Sequence, residues 1–190
     1  MWFNRNDISS LKLQVDTRLA ITLECSTYQG VFNILNTILA DEAVLSIKTR
    51  GALLHARGAG FNEQHILFEL QYKQLNAISD EILKRIRVLG VLPIGSLGEF
   101  LKNTRLEEQP GYTADFMNLL TDHEAAIRFL CEDARKCIEE CEDKATHDFL
   151  VSILGQHEKM AWALRACIEP EMTREESRGN RVQSIFEAAF

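Results

Sequence analysis

At 190 residues, with 46% hydrophobic residues and only 3 prolines, the chain is most simply one domain with room for a substantial core. Its formal charge of -7 and pI near 5.3 exclude a generally phosphate-binding surface, which needs clustered Lys and Arg, and suit the uptake of cations. The opening MWFNRNDISS has no apolar signal core, and the longest uncharged run, Cys25 to Ala40, is interrupted by Gln29, Asn33 and Asn36. A soluble, cytoplasmic protein without a membrane span is expected. The five cysteines, Cys25, Cys131, Cys137, Cys141 and Cys167, are an odd number without a CxxC pair, so reduced thiols are expected. Cys137 and Cys141 lie one helical turn apart and either share a soft metal or pack as two small side chains.

Apolar residues recur at three and four over four long segments, while alternation of the strand kind is scarce, so the fold class is all-α. Helix A is predicted from about Ser26 to Arg57, with Val31, Leu35, Ile38, Leu39, Leu45 and Leu53 among its apolar positions, and Gly58 to Gly60 stops it. Helix B follows from about Asn62 to Leu89, ending at Gly90 with Pro93 just beyond. Helix C runs from near Thr113 to about Cys141, and helix D starts after Asp143, a suitable N-cap, and reaches about Ile168 before Pro170.

The connections set the topology. A to B and C to D are short, so each pair is an antiparallel hairpin. B to C, Gly90 to Tyr112, is long enough to cross the whole bundle: it extends roughly 70 Å at about 3.3 Å per residue, against about 42 Å for helix B at 1.5 Å per residue. Two hairpins joined by one long crossover make a ferritin-like four-helix bundle, and Ser96 to Asn103 carries enough helix formers to give the crossover a short helix of its own. The division expected is an N-terminal extension over 1–25, the bundle over 26–168 and a C-terminal tail over 169–190.

Helix B carries the candidate chemistry. At about 100° per residue, His65, Glu69, Asp80 and Lys84 fall at roughly 0°, 40°, 60° and 100°, on one stripe. Iron(II) accepts such mixed imidazole and carboxylate ligands, although by spacing alone the same stripe is also an ordinary solvated face. Lys84 sits badly with a metal-binding reading. Acidic residues around the C to D turn, Glu139, Glu140, Glu142, Asp143 and Asp148, read either as a solvated turn or as the lining of a cation-entry pore, with Glu140, Asp143 and Asp148 the pore candidates.

Five stretches, LNTILADEAVLSIK (Leu35 to Lys48), the GxxF of Gly58 to Phe61, HILFE (His65 to Glu69), SDEILKRIRVLGVLPIGSLGEF (Ser79 to Phe100) and DKATHDFL with GQHEKMAWALRA (Asp143 to Ala166), resemble in order the Dps family of small ferritin-like cages. The resemblance covers roughly Tyr28 to Ile168. It implies a cytoplasmic homo-oligomer, a dodecameric shell that oxidises and stores iron (Fe2+/Fe3+) and protects against oxidative stress, with no cofactor needed for folding. The ferroxidase site it implies lies between two subunits. Position by position, its first His falls on Leu53, its second on His65, its first acid on Glu69, the next on Asp80 and its final Glu on Lys84. Leu53 and Lys84 therefore replace expected ligands, and Leu54 stands where a Trp is usual. His55 lies about 200° around helix A from Leu53 and does not take over that role. Lys84 is expected to neutralise the site by reaching Glu69 or His65 of the neighbouring subunit, or else to extend into solvent.

Three readings follow. The chain is an iron-sequestering shell subunit with an incomplete intersubunit site, or an active ferroxidase using His65, Glu69 and Asp80 with water, or a noncatalytic structural subunit. His157 and Trp162 match the resemblance on helix D and are expected to pack or hydrogen-bond. DNA binding through the termini is not expected. Met1 to Val15 offers only Arg5 and Lys12 against Asp7, and the tail from Glu169 sets Arg174, Arg178 and Arg181 against Glu169, Glu171, Glu175, Glu176 and Glu187. The closing SIFEAAF, with Ile185, Phe186 and Phe190, suits docking on the protein's own shell or on a partner helix.

Overall fold

The computed structural model describes residues 25–57, 61–108, 110–111 and 113–168. The terminal arms, with the charges and aromatic residues just named, lie outside the described residues. Five helices make up the described chain: α1 (Cys25–His55), α2 (Phe61–Val88), α3 (Leu97–Asn103), α4 (Phe116–Glu139) and α5 (Lys144–Ile168).

Local chemistry fixes most helix ends. Gly90, at φ 83°, takes the left-handed conformation that a side chain disfavours, and the amide of Val91 bonds back to Ile86 O at 3.4 Å, closing the end of α2. Ser96 and Glu99 form a reciprocal capping box that starts α3. The Ser96 hydroxyl and the Gly95 and Ser96 amides all bond the Glu99 carboxylate and hold its pKa below the usual value. Helix α4 begins at Phe116 rather than near Thr113, because Asp115 and Asn118 form a second capping box. Asp143 caps α5 as expected, accepting the Thr146 amide at 2.9 Å.

Contacts between helices give their directions. Ser46 meets Asn76 at 3.4 Å across the α1–α2 hairpin. Gln71 donates to Met160 O at 3.0 Å, and Arg85 donates to Thr146 Oγ1 at 2.8 Å. As α2 advances α5 recedes, so the two are antiparallel and α1 runs parallel to α5. That is the ferritin-like arrangement, and it requires the long crossover.

The crossover is fastened at two places. The amide of Ile94 donates to Asn36 at 3.1 Å. Arg105 donates to buried Asp41 through Nη2 at 2.7 Å and to buried Asp133 through Nη1 at 2.7 Å, with its guanidinium 4.2 Å from the centre of the Phe129 ring.

Inside, Leu35, Ile38, Leu39 and Leu45 of α1 meet Leu75, Ile78, Ile82 and Ile86 of α2, Leu119 and Leu130 of α4, and Leu150, Ile153 and Met160 of α5. Each such side chain contributes about 1.5–3 kcal/mol through burial. Helix α1 is long and apolar enough over Gln29–His55 to cross a membrane by length and composition, but most of that stretch is buried inside the bundle. It serves as a core helix.

Candidate metal centre

Helix α2 places the expected ligands on its outer side. His65 is half-buried one turn into the helix, its ring 5.5 Å from that of Phe61. Glu69, one turn on, is ion-paired at 2.7 Å with Lys73 of the same helix. The Lys73 hydrogen bond and charge hold the Glu69 carboxyl below the ordinary carboxylate range, with a smaller contribution from His65. Asp80 and Lys84 are exposed. Glu69 thus already has a cation beside it within its own subunit, Lys73 at 2.7 Å.

On α1, Leu53 is half-buried and packs against the apolar core. His55 is exposed, and its Nδ1 lies 2.8 Å from Gly51 O on its own helix. Leu54 at 71%, Phe61 at 44% and Ile66 at 46% exposure leave apolar surface at this end of the α1–α2 hairpin, which suits burial against another subunit. Among the described residues of one subunit, no group of three or more His, Cys, Asp or Glu side chains is arranged to hold a metal ion.

At the α4–α5 turn, Glu140 and Asp148 are exposed. Asp143 is buried, capping α5 and standing 3.5 Å from Arg85, so it faces protein and not solvent in the isolated subunit. Cys137 and Cys141 are buried, and desolvation pushes the Cys137 thiol up to about 12, with Cys141 and Asp143 adding to the effect. Both behave as packed thiols. Trp162 is 44% exposed, while His157 is fully buried and hydrogen-bonded.

Sequence reasoning missed what His157 bonds to. Its Nε2 lies 2.7 Å from Glu42 Oε1 and its Nδ1 lies 3.0 Å from His123 Nδ1, all inside the bundle. The available signal was a set of polar residues on otherwise apolar faces, with His157 between Ile153 and Met160.

The fold is that of a ferritin-like protein, and a ferritin-like family model matches residues 32–171. A low temperature-induced protein of Nostoc sp. is 38% identical over 156 residues, covering 80% of this chain and 87% of that protein. The DNA protection during starvation protein 2 of Bacillus anthracis is 31% identical over 139 residues, 72% of this chain and 94% of that protein. Among solved structures, Dps of Vibrio cholerae superposes with a TM-score of 0.72 at 26% identity, covering 78% of this chain and 95% of the other. DpsC of Streptomyces coelicolor gives a TM-score of 0.76 at 23% identity, covering 82% and 92%. The chain belongs to the Dps family, the small-cage branch of the ferritin-like proteins, for which iron storage and protection are activities of the family.

Proposed function

We propose that this chain is the subunit of a homo-oligomeric, dodecameric Dps-type shell in the cytoplasm that sequesters iron and limits oxidative damage, and that its intersubunit ferroxidase site is incomplete. The observation that carries this is the state of Glu69. The carboxylate at a position of iron ligation is already paired with Lys73 at 2.7 Å, and the same stripe carries a second cation, Lys84, in place of the final acid. Leu53 supplies no imidazole from α1. Iron(II) is the substrate of such a site, and two ammonium groups repel it while only His65, Glu69 and Asp80 attract it. The exposed apolar surface formed by Leu54, Phe61 and Ile66 supports assembly across this face.

Loading the assembled protein with iron(II) in air tests both parts. Iron should co-elute with the shell on gel filtration, and oxidation should run little faster than in buffer. Absence of co-eluting iron would remove the storage role. Fast, saturable oxidation lost in His65→Ala would instead show a working ferroxidase.

A further inference from the structure

The triad at the centre of the bundle links three helices through His157 of α5: Glu42 of α1 on Nε2 at 2.7 Å and His123 of α4 on Nδ1 at 3.0 Å. All three side chains are at most 1% exposed. Two atoms at its ends, Glu42 Oε2 and His123 Nε2, are buried without a hydrogen-bond partner among the described residues. The two imidazoles point nitrogen at nitrogen, with ring centres 5.1 Å apart, so their lone pairs do not converge on a common point as metal ligands would.

Proton counting sets what this arrangement tolerates. With Glu42 ionised, His157 donates from Nε2, and the Nδ1 contact holds if one of the two nitrogens is bare. One additional proton charges one imidazole, balances the Glu42 carboxylate and leaves both contacts intact. A second charges both rings, sets two N–H groups against each other and places an uncompensated charge in the core. We infer that Glu42, His157 and His123 form an acid-sensitive clasp that joins α1, α5 and α4 while at most one imidazole is charged, and that acid loosens the bundle by charging both.

Among the described residues, the surroundings offer the second charge no free counter-ion. On α1, Asp41 is closed in its pair with Arg105 of the crossover, and Lys48 is paired with Asp122 of α4 at 2.5 Å. On α4, Asp133 is held by Arg105 and Lys136. Helix α2 presents the uncharged Gln71, and on α5 the buried Asp143 is engaged by Arg85 at the far end. Burial first, and the His157 charge second, hold His123 well below its ordinary value. A folded-state value below the unfolded one means that the unfolded chain binds a proton the folded chain refuses. Stability from this group is therefore full above about pH 6.5 and is lost as pH falls below it, the unfolding constant rising about tenfold per pH unit.

The test is urea unfolding of the assembled protein and of His123→Gln at one fixed protein concentration, between about pH 7.5 and 5.5, above the range where most carboxylates titrate. His55, His65 and His147 are common to both proteins and cancel in the comparison, and the Gln amide can offer either an oxygen or an N–H to His157 Nδ1. The wild type should show the steeper acid loss, by about tenfold in the unfolding constant over this whole range; parallel profiles would overturn the clasp. Should the variant fail to fold, deuterium exchange at the His123 ring C2–H of the wild type, read by mass spectrometry, decides the matter. It should stay slow and flat across that range, and an exchange profile with a midpoint near about 6.5, the ordinary imidazole value, would overturn the proposal.

Discussion

Glu69 and Lys73 face each other across one turn of α2 at 2.7 Å, so the carboxylate proposed as an iron ligand already has a cation of its own. Removing that cation should free the ligand. Lys73→Gln should return the Glu69 pKa toward the ordinary carboxylate value, raising it because the Lys73 hydrogen bond and charge that favour the ionised form are gone. It should also increase zinc(II) or iron(II) occupancy several-fold, as read by isothermal titration of the assembled protein. Unchanged metal affinity would mean that the exposed pair exchanges freely with solvent and withholds nothing.

Arg105 is the structural counterpart, a guanidinium joining buried Asp41 and Asp133. Arg105→Ala leaves both carboxylates without it, and breaking a buried pair by removing one partner costs about 3–5 kcal/mol. Lys136 still reaches Asp133 at 3.3 Å, which should place the loss toward the lower end. Arg105→Lys should recover only part of it, because one ammonium cannot reproduce the forked contacts. Urea midpoints for the three proteins check the order.

How far the sequence led depends on where each signal sits along the chain. Helix periodicity, the Gly90 stop, the Asp143 cap and the long crossover were legible because each is local. The α4 start moved by about one turn because the Asp115–Asn118 box competes with the extended segment before it. The helix stripe showed His65, Glu69, Asp80 and Lys84 together, yet the proposed link to Leu53 came only through family resemblance, since a site of that kind, shared by two subunits, would leave no spacing within one helix. The Lys73 pair was present as an i, i+4 pattern and passed over. The Glu42–His157–His123 chain joins residues 115 and 34 positions apart, and no local pattern connects them.

Assembly is directly measurable. Twelve copies of a 21.6 kDa chain amount to about 260 kDa and carry a formal charge of about -84 from -7 each. Light scattering coupled to gel filtration should report that mass, and Leu54→Glu, which puts a charge on exposed apolar surface beside the α1–α2 turn, should lower it. A stable wild-type monomer or dimer at micromolar concentration would remove the cage.

DNA should pass this shell by. Each phosphate contact requires a cation that releases a counter-ion, and neither terminal arm is a polycation. Plasmid mobility in a gel should be unchanged at physiological salt, whereas retardation there would show a basic surface created by assembly.

The central claim is that the intersubunit site handles iron poorly because Leu53 and Lys84 stand where an imidazole and a carboxylate belong. The most direct measurement is the initial rate of iron(II) oxidation by the assembled wild type and by Leu53→His/Lys84→Glu, followed by absorbance under air and with peroxide. The double variant should bind more metal and oxidise it clearly faster, each single variant should gain less because a half-built site lacks either a ligand or charge balance, and the wild type should stay near the buffer rate. A wild type that oxidises iron rapidly and saturably, losing this in His65→Ala and gaining nothing from the double substitution, would contradict the account.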